Sequence, residues 1–470
     1  MSSPLQIDGA LSARFAPSGD SGGGAAADLV AVGDGTVSLW NTKTGERLPQ
    51  RPENETGSSI LWAAFDPDRS YVLTVTEHPE ERRGVGPTYE LGARDPQTLE
   101  LVSSVDLLDS ERIGRVFLSD DGARLVTLSG GVSPAKGGAA SVAPPALWAL
   151  RTAEAGGGAG GDTGGGAEAE LIRRLEGHAQ GVWFVDLSAD GGRVVTAGEE
   201  GTARLWTDRP EDAPETLEAH LGPVYTARFS ADGRRVVTAS ADRTAMVWNV
   251  DEPSATPLIL RHHGRVFSAA FSPDGQRVGT VSEDGTARLW MASTGEAIGE
   301  PMEHEGPVVA VRFSADGTRL LTSSLSRVWT PLALRGAQPL RETAHLWNGE
   351  TGEPLGVALG HSGTVSMVDL SPDGSGLVTV SSDGVSRVWN LSVASPEEFE
   401  RLAMLAEAVA GFRVNDRGGT ESLGDRDHAS AIEDLDQDVG GLVLELTRWF
   451  AQGPNAPSIP EPSQAANQRD

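Results

Sequence analysis

The sequence predicts an all-β protein made of tandem copies of one four-stranded unit. Two residue series and one alternation carry that expectation. Trp206, Trp248 and Trp290 stand 42 apart, Trp347 follows after 57, and Trp389 after another 42. His178, His220, His262 and His304 keep the 42-residue step, and His361 follows after 57. Two residue types sharing one period, and one 15-residue insertion, mark a repeat array rather than the three or so domains that length alone suggests. Within each period apolar residues alternate at period two between turn residues, the pattern of pleated strands.

Each strand of the unit has its own signal. In PVYTARFSADGRRVVTASADRTAMVWNV, residues 223–250, the first alternating run ends at Phe229. Asp232-Gly233 then supplies a tight hairpin turn. The apolar run Arg235–Ser240 is the second strand, and a second turn falls at Asp242-Arg243. The third strand ends at Trp248, and a short fourth near Pro257–Arg261 leads to the next histidine.

Earlier units are more degenerate. ADLVAVGDGTVSLWNTKTGE ends a first unit at Trp40. The second has FDPDRSYVLTVTE and then TYELGARDPQTLE, where a tryptophan would be expected. The third has LSDDGARLVTLSG, a Gly/Ala/Pro-rich insertion and Trp148. The count is eight units, seven of which keep the strand-end tryptophan.

The pattern resembles WD40 repeats, mostly with Trp-Asn or Trp followed by another residue in place of Trp-Asp. The resemblance covers residues 1 to about 393. It implies a WD40-type β-propeller of eight blades, with seven, the commoner number, as the alternative. A propeller must close its ring, because an open blade exposes a sheet edge. Pro4–Ile7 sit where a fourth strand would precede the first repeat, and are expected to complete the last blade. Phrases such as FSPDGQRVGTVSEDGTARLW look like the bacterial branch of the family, whose propellers often accompany Ser/Thr kinase or other signalling domains.

The propeller is thus expected over 1–394, followed by a helical extension over 395–452 and a disordered tail over 453–470. Ser395-Pro396-Glu397-Glu398 reads as a helix start with a capping box. Phe399, Leu402, Leu405, Val409 and Phe412 then recur at helical spacing. A second stripe runs through Ile432, Leu435, Val439, Leu442, Leu446, Trp449 and Phe450. These helices would pack together or onto the propeller, or dock another protein. Residues 131–145, 155–168 and 326–341 read as insertions in solvent loops, the second being AGGGAGGDTGGGAE.

Composition narrows the function. The chain has 470 residues, with 38 Lys+Arg against 67 Asp+Glu, a net charge of −29. Such a surface repels phosphate backbones and anionic lipid, so neither nucleic acid nor a membrane is an expected partner. There is no cysteine, which removes disulfides, thiolate catalysis and Cys-ligated metal. No basic segment followed by an apolar stretch opens MSSPLQIDGA, and no apolar run reaches membrane-spanning length. A cytoplasmic, monomeric propeller is expected, with no cofactor.

The recurring histidines could be read as ligands or catalysts. Each of the last four has a serine 20 residues on: Ser240, Ser282, Ser324 and Ser381. An acid follows in three cases, Asp242, Asp284 and Asp383, and then Trp248, Trp290 and Trp389. With His220, His262 and His361 these resemble the structural tetrad of WD40 blades, an Asp–His–Ser–Trp hydrogen-bond chain that knits strands together. Ser–His–Asp also spells a hydrolase triad. Repetition across blades argues against that, because one active site needs no copies. The fourth unit has Gly198 and Glu200 in place of Ser and Asp, and the seventh lacks the acid, so both networks are expected to be incomplete. No His-x-His, His-Glu-x-x-His or phosphate-loop motif occurs.

A binding face remains. Trp183, Tyr225 and Phe267 share one repeat position, five after each tetrad histidine, with Val309 and Ser366 next in the series. They would form either a protein-binding hot spot or packing between blades. Arg243, Glu199 and Glu283, at the second turn, would rim the same face. The expected function is a non-catalytic protein–protein interaction scaffold in bacterial signalling or complex assembly, with basic or neutral partners. The alternative is a small-ligand sensor using the central channel.

Overall fold

A computed structural model describes residues 5–8, 10–17, 28–33, 35–42, 46–48, 58–78, 87–107, 113–129, 143–152, 167–324, 342–361, 365–372, 375–381, 385–390, 412–414 and 420–422. The chain divides into two compact units, Met1–Leu391 and Ser392–Asp470. The first is all-β and contains eight antiparallel four-stranded sheets, the blades.

Blade 1 holds β2 (Ala10–Phe15), β3 (Leu29–Gly33), β4 (Thr36–Asn41) and β5 (Glu46–Arg47), and blade 8 is completed by β1 (Leu5–Asp8). Blade 2 holds β6 (Ser59–Phe65), β7 (Val72–His78), β8 (Thr88–Arg94) and β9 (Leu101–Leu107). Blade 3 holds β10 (Ile113–Leu118), β11 (Arg124–Ser129), β12 (Ala146–Thr152) and β13 (Ala167–Arg174). Blade 4 holds β14 (Val182–Leu187), β15 (Arg193–Gly198), β16 (Thr202–Thr207) and β17 (Glu215–Glu218). Blade 5 holds β18 (Val224–Phe229), β19 (Arg235–Ser240), β20 (Thr244–Asn249) and β21 (Leu258–Arg261). Blade 6 holds β22 (Val266–Phe271), β23 (Arg277–Ser282), β24 (Thr286–Met291) and β25 (Ala297–Glu303). Blade 7 holds β26 (Val308–Phe313), β27 (Arg319–Ser324), β28 (Glu342–Asn348) and β29 (Pro354–His361). Blade 8 holds β30 (Val365–Leu370), β31 (Gly376–Ser381) and β32 (Val385–Asn390). Its fourth strand, β1, pairs antiparallel with β32, Leu5 opposite Val388 and Asp8 opposite Val385.

The first strand of each blade touches the first strand of the next, all the way round from β2 to β30 and back to β2. These strands therefore line a central channel. We call the end at which they begin the upper end. The antiparallel meander then puts each second turn at that end and each first hairpin at the lower end.

Both faces of a blade are apolar because each packs on a neighbour. One buried cluster lies at each junction, from the Val30–Phe65 group between blades 1 and 2 to the Ala13–Val378 group between blades 8 and 1. Wholly enclosed leucines such as Leu217 and Leu260 each contribute roughly 1.5–3 kcal/mol by apolar burial. Arginines at the start of the second strands add polar ties: Arg235 donates to the Gly275 carbonyl at 2.6 Å, and Arg277 to the Gly349 carbonyl at 2.6 Å.

The lower hairpins repeat one device. Ser230 donates to Asp232, and its oxygen accepts from the Arg235 backbone at 3.0 Å. Gly233 takes φ +66°, a left-handed conformation that glycine adopts without strain. Ser119, Ser188, Ser272 and Ser314 make the same turn with Asp121, Asp190, Asp274 and Asp316.

In the second unit β33 (Phe412–Val414) and β34 (Thr420–Ser422) form an antiparallel ribbon, Phe412 opposite Ser422. Phe412 was expected to end a helical stripe, and it lies in a strand instead, where its backbone is paired across the ribbon. The rest of that stripe and the whole of the second, Ile432 to Phe450, lie outside the described residues, as do most of the three insertions. Among the described residues no helix is long and apolar enough to cross a membrane.

Candidate functional site

Each tetrad histidine sits just before a first strand, at the upper end. In blade 5, His220 Nδ1 meets the Asp242 carboxylate at 2.8 Å, and Nε2 meets the Thr238 hydroxyl at 2.7 Å. The Trp248 indole N–H donates to the same hydroxyl at 2.9 Å. Tryptophan can only donate and a carboxylate can only accept, so the relay of hydrogen bonds starts at the Trp248 indole and ends at the Asp242 carboxylate. Blade 6 repeats it through His262, Asp284, Thr280 and Trp290, at 3.1, 2.7 and 2.8 Å. Desolvation, the largest single effect, raises both Asp242 and Asp284, yet their hydrogen bonds together hold them well below the usual carboxylate range.

The bridging hydroxyl is therefore threonine, two residues before the expected serine. Ser240 instead donates to the Gly222 carbonyl at 2.9 Å and accepts from the Asp242 backbone, and Ser282 likewise accepts from Asp284. They stiffen the upper turn rather than the relay. Ser240 lies too near the strand end, opposite Val224, to reach an indole paired at Val236. In blade 8 Trp389 donates to Thr379 at 3.0 Å. The side chains of His361, Ser381 and Asp383 lie outside the described residues.

Blade 4 departs from expectation, because its network is complete. Glu200 bonds His178, His178 bonds Thr196 at 2.6 Å, and Trp206 donates to Thr196 at 2.9 Å. A Cβ at residue 198 would overlap the His178 ring and the Glu200 carboxylate, so the glycine makes room for the longer acid. In blade 7 the relay ends on a carbonyl: His304 Nδ1 donates to Met302 O at 3.0 Å, and Thr322 joins His304 to Trp347. Burial, and then His345, whose ring lies 4.9 Å away, pull His304 down to about 4.

Blade 2 keeps the first link of the relay with a different donor. Arg94 pairs opposite Val72 as Trp248 does opposite Val236, and its Nε donates to Thr74 at 3.2 Å. The residue that replaces the missing tryptophan was not foreseen. The signal was present, since Arg94 stands 20 residues after Thr74 at the end of a third strand.

Every first strand carries a bulge at one position, and Trp183, Tyr225 and Phe267 are the bulged residues of β14, β18 and β22. The irregularity re-aims these side chains at the upper end. They pack on one another, Trp183 edge-on to Tyr225 and Tyr225 stacked on Phe267, both pairs at 5.9 Å. The three form a cluster of their own, distinct from the junction clusters, with exposures of only 7%, 7% and 8%. The arc is thus buried packing across three neighbouring blades at the upper end, not an open patch. The Trp183 indole N–H is buried without a partner among the described residues.

The rim surrounds this cluster. Burial pushes the Tyr225 phenol up, Arg265 opposes that through a hydrogen bond, and Glu283 and Glu199 lie within its field. Arg265 and Glu283 pair at 3.6 Å. Arg243 is exposed and holds φ +73°, where the matching positions in other blades are Gly35, Gly201 and Gly285.

The most exposed large apolar residue among the described residues belongs to neither the arc nor its rim. Leu221, directly after His220, is 96% exposed. Its backbone N–H donates to Asp242 at 3.0 Å, so the relay's carboxylate fixes it in place. His263, its counterpart in blade 6, is exposed and bonded to Asp284 in the same way. Among the described residues no group of acids and histidines could hold a metal ion.

The family model "WD domain, G-beta repeat" matches residues 169–207, 213–249, 255–291 and 352–390. Each match runs from the outer strand of one blade through the third strand of the next, so these four stretches are WD40 repeats within an eight-bladed propeller. No curated protein matches the chain.

Proposed function

We propose that the protein is a non-catalytic scaffold that docks protein partners on the upper face of blades 4 to 6. One observation carries the reading: a leucine, Leu221, 96% exposed and held by a backbone bond to Asp242, at the same upper end as the aromatic cluster. A lone exposed apolar residue means little. One whose backbone is fixed in advance loses less conformational freedom on binding, and that saving goes into affinity.

In this reading Leu221, Arg243 and the Arg265–Glu283 pair make the contacts, with Glu199 at the rim. Trp183, Tyr225 and Phe267 are the floor that holds them in place. This revises the role expected of the arc, because side chains so little exposed offer a partner almost no area. The chain's acidic surface favours basic or neutral partners through complementary steering. A rigid platform with several loops suits signalling or complex assembly, where partners must be brought together in a fixed arrangement.

The test compares wild type with Leu221→Asp in pull-downs from lysate of the source cell. Proteins retained by wild type should be lost with the variant, whose thermal stability should be unchanged. Equal retention by both, or nothing above background with wild type, contradicts the proposal.

A further inference from the structure

The lower half of the central channel carries charge that neither the relays nor the upper face uses. The next-to-last residue of each first strand occupies one register level, fixed by the pairing of the strand's last residue with its second strand. At that level stand Arg14, Asp186, Arg228, Arg312 and Asp369, on blades 1, 4, 5, 7 and 8. The other three positions are apolar. In a chain of net charge −29, this ring holds three guanidinium groups and two carboxylates.

The carboxylates are partly committed. Asp186 accepts the backbone N–H of Phe229 at 2.9 Å, and Asp369 that of Phe15 at 3.2 Å. Each joins its blade to the next. No carboxylate among the described residues forms an ion pair with Arg14, Arg228 or Arg312, and no hydrogen bond from these three side chains ends on a described residue. Arg228 lies over the Phe184 ring at 5.0 Å, and its Nε is buried without a partner.

Blades 1, 5 and 7 are not neighbours, so their side chains meet only across the channel. Burial, then Arg312 and Arg14, lower the Arg228 group while Asp186 opposes them; burial also lowers Arg14, with Asp369 opposing and Arg312 adding to the shift. All five ring side chains keep partial exposure despite the enclosure, which fits a channel they line rather than fill. Three enclosed cations are only partly balanced by two carboxylates that already accept backbone N–H groups, and the cost of the remaining charge with donors unused falls when a further anion joins them.

We propose that this ring is a binding site for a phosphate-sized oxyanion, held between Arg14, Arg228 and Arg312. A tetrahedral oxyanion offers oxygens in several directions at once, and the guanidinium fork matches pairs of them. Free phosphate and the phosphate group of a small monoester share the chemistry the site takes, the dianionic PO₃ end. The site is independent of the upper face, so either can fail alone.

Isothermal titration of the full chain with inorganic phosphate, at fixed ionic strength in chloride, tests the site. Wild type should show saturable binding to one site. Arg312→Gln, with an unchanged circular dichroism spectrum, should bind at least about tenfold more weakly, as loss of a charged hydrogen bond implies. Leu221→Asp should bind phosphate as wild type does. Glycerol phosphate run in parallel identifies the source: tighter binding than phosphate assigns the site to an ester, weaker binding to the free ion. Should Arg312→Gln not fold, Arg312→Lys keeps the cation without the fork and should still weaken binding several-fold. Absence of saturable binding in wild type, or unchanged affinity in the folded Arg312 variant, overturns the proposal.

Discussion

Gly198 and Glu200 act as a pair. The longer acid reaches His178 only because residue 198 has no side chain in its way. Gly198→Ser should therefore destabilise the protein by about 2 kcal/mol, the scale of a forced overlap in a packed site. Adding Glu200→Asp restores the blade 5 combination and should recover most of that loss. Urea denaturation of the two single variants and the double variant measures the coupling, and additive effects contradict it.

His304 gives a pH dependence of definite sign. Folded, it stays neutral down to about 4, whereas an unfolded histidine takes its proton near 6.5. Between those values the unfolded chain binds more protons, so stability falls as pH drops from about 6.5 toward 4. The loss should be on the order of 2 kcal/mol, allowing for partial solvent screening. His304→Gln should flatten that slope in denaturation measured across the window, and an unchanged slope contradicts the assignment. Asp186, raised to about 6 by burial, works in the opposite direction: the folded state holds its proton longer, so its contribution declines as pH rises from about 4 to 6.

At the scale of elements, the upper turns show where stability is given up. In blades 1, 4, 5 and 6 the residue before the third strand is left-handed, and Arg243 fills that place where Gly35, Gly201 and Gly285 do in the other three. A side chain there costs about 1–2 kcal/mol. Arg243→Gly should raise the melting temperature by a few degrees while weakening partner capture, which separates binding from folding. A lower melting temperature would show that the arginine stabilises the turn.

The strands themselves were legible because their signals are local. Arg235–Ser240 and the turns at Asp232-Gly233 and Asp242-Arg243 fall where alternation and turn chemistry put them. The bridging threonine was not legible. Thr238 and Ser240 recur with the same period and share one strand face, so sequence parity does not separate them. Only the reach of the His220 ring does. Arg94 in place of tryptophan was hidden for a related reason, since the relay asks for an N–H donor and not for an indole. The five charges of the channel ring lie on five different repeats, and no motif joins them before the ring closes.

At the scale of the molecule, closure makes the rest possible. Eight junction clusters and eight first strands form a continuous ring only if the N-terminal strand completes the last blade. Every relay, the fixed Leu221 and the channel charges depend on blades that cannot splay. Closure by strands from opposite ends of the repeat array also makes unfolding cooperative, because losing β1 exposes the edge of β32. Five of the eight units were legible from the tryptophan and histidine spacing, the first three from degenerate strand-and-turn segments, and the closing strand from its position before the first repeat.

The absence of cysteine allows that closure to be measured directly. In the pairing of β1 with β32, Leu5 stands opposite Val388, a separation that suits a disulfide. Leu5→Cys with Val388→Cys should form an intramolecular disulfide under mild oxidation and raise the melting temperature, while the slipped pair Leu5→Cys with Arg387→Cys stays reduced. Free thiols in the registered pair, or disulfides only between separate chains, would contradict a ring closed by its first strand.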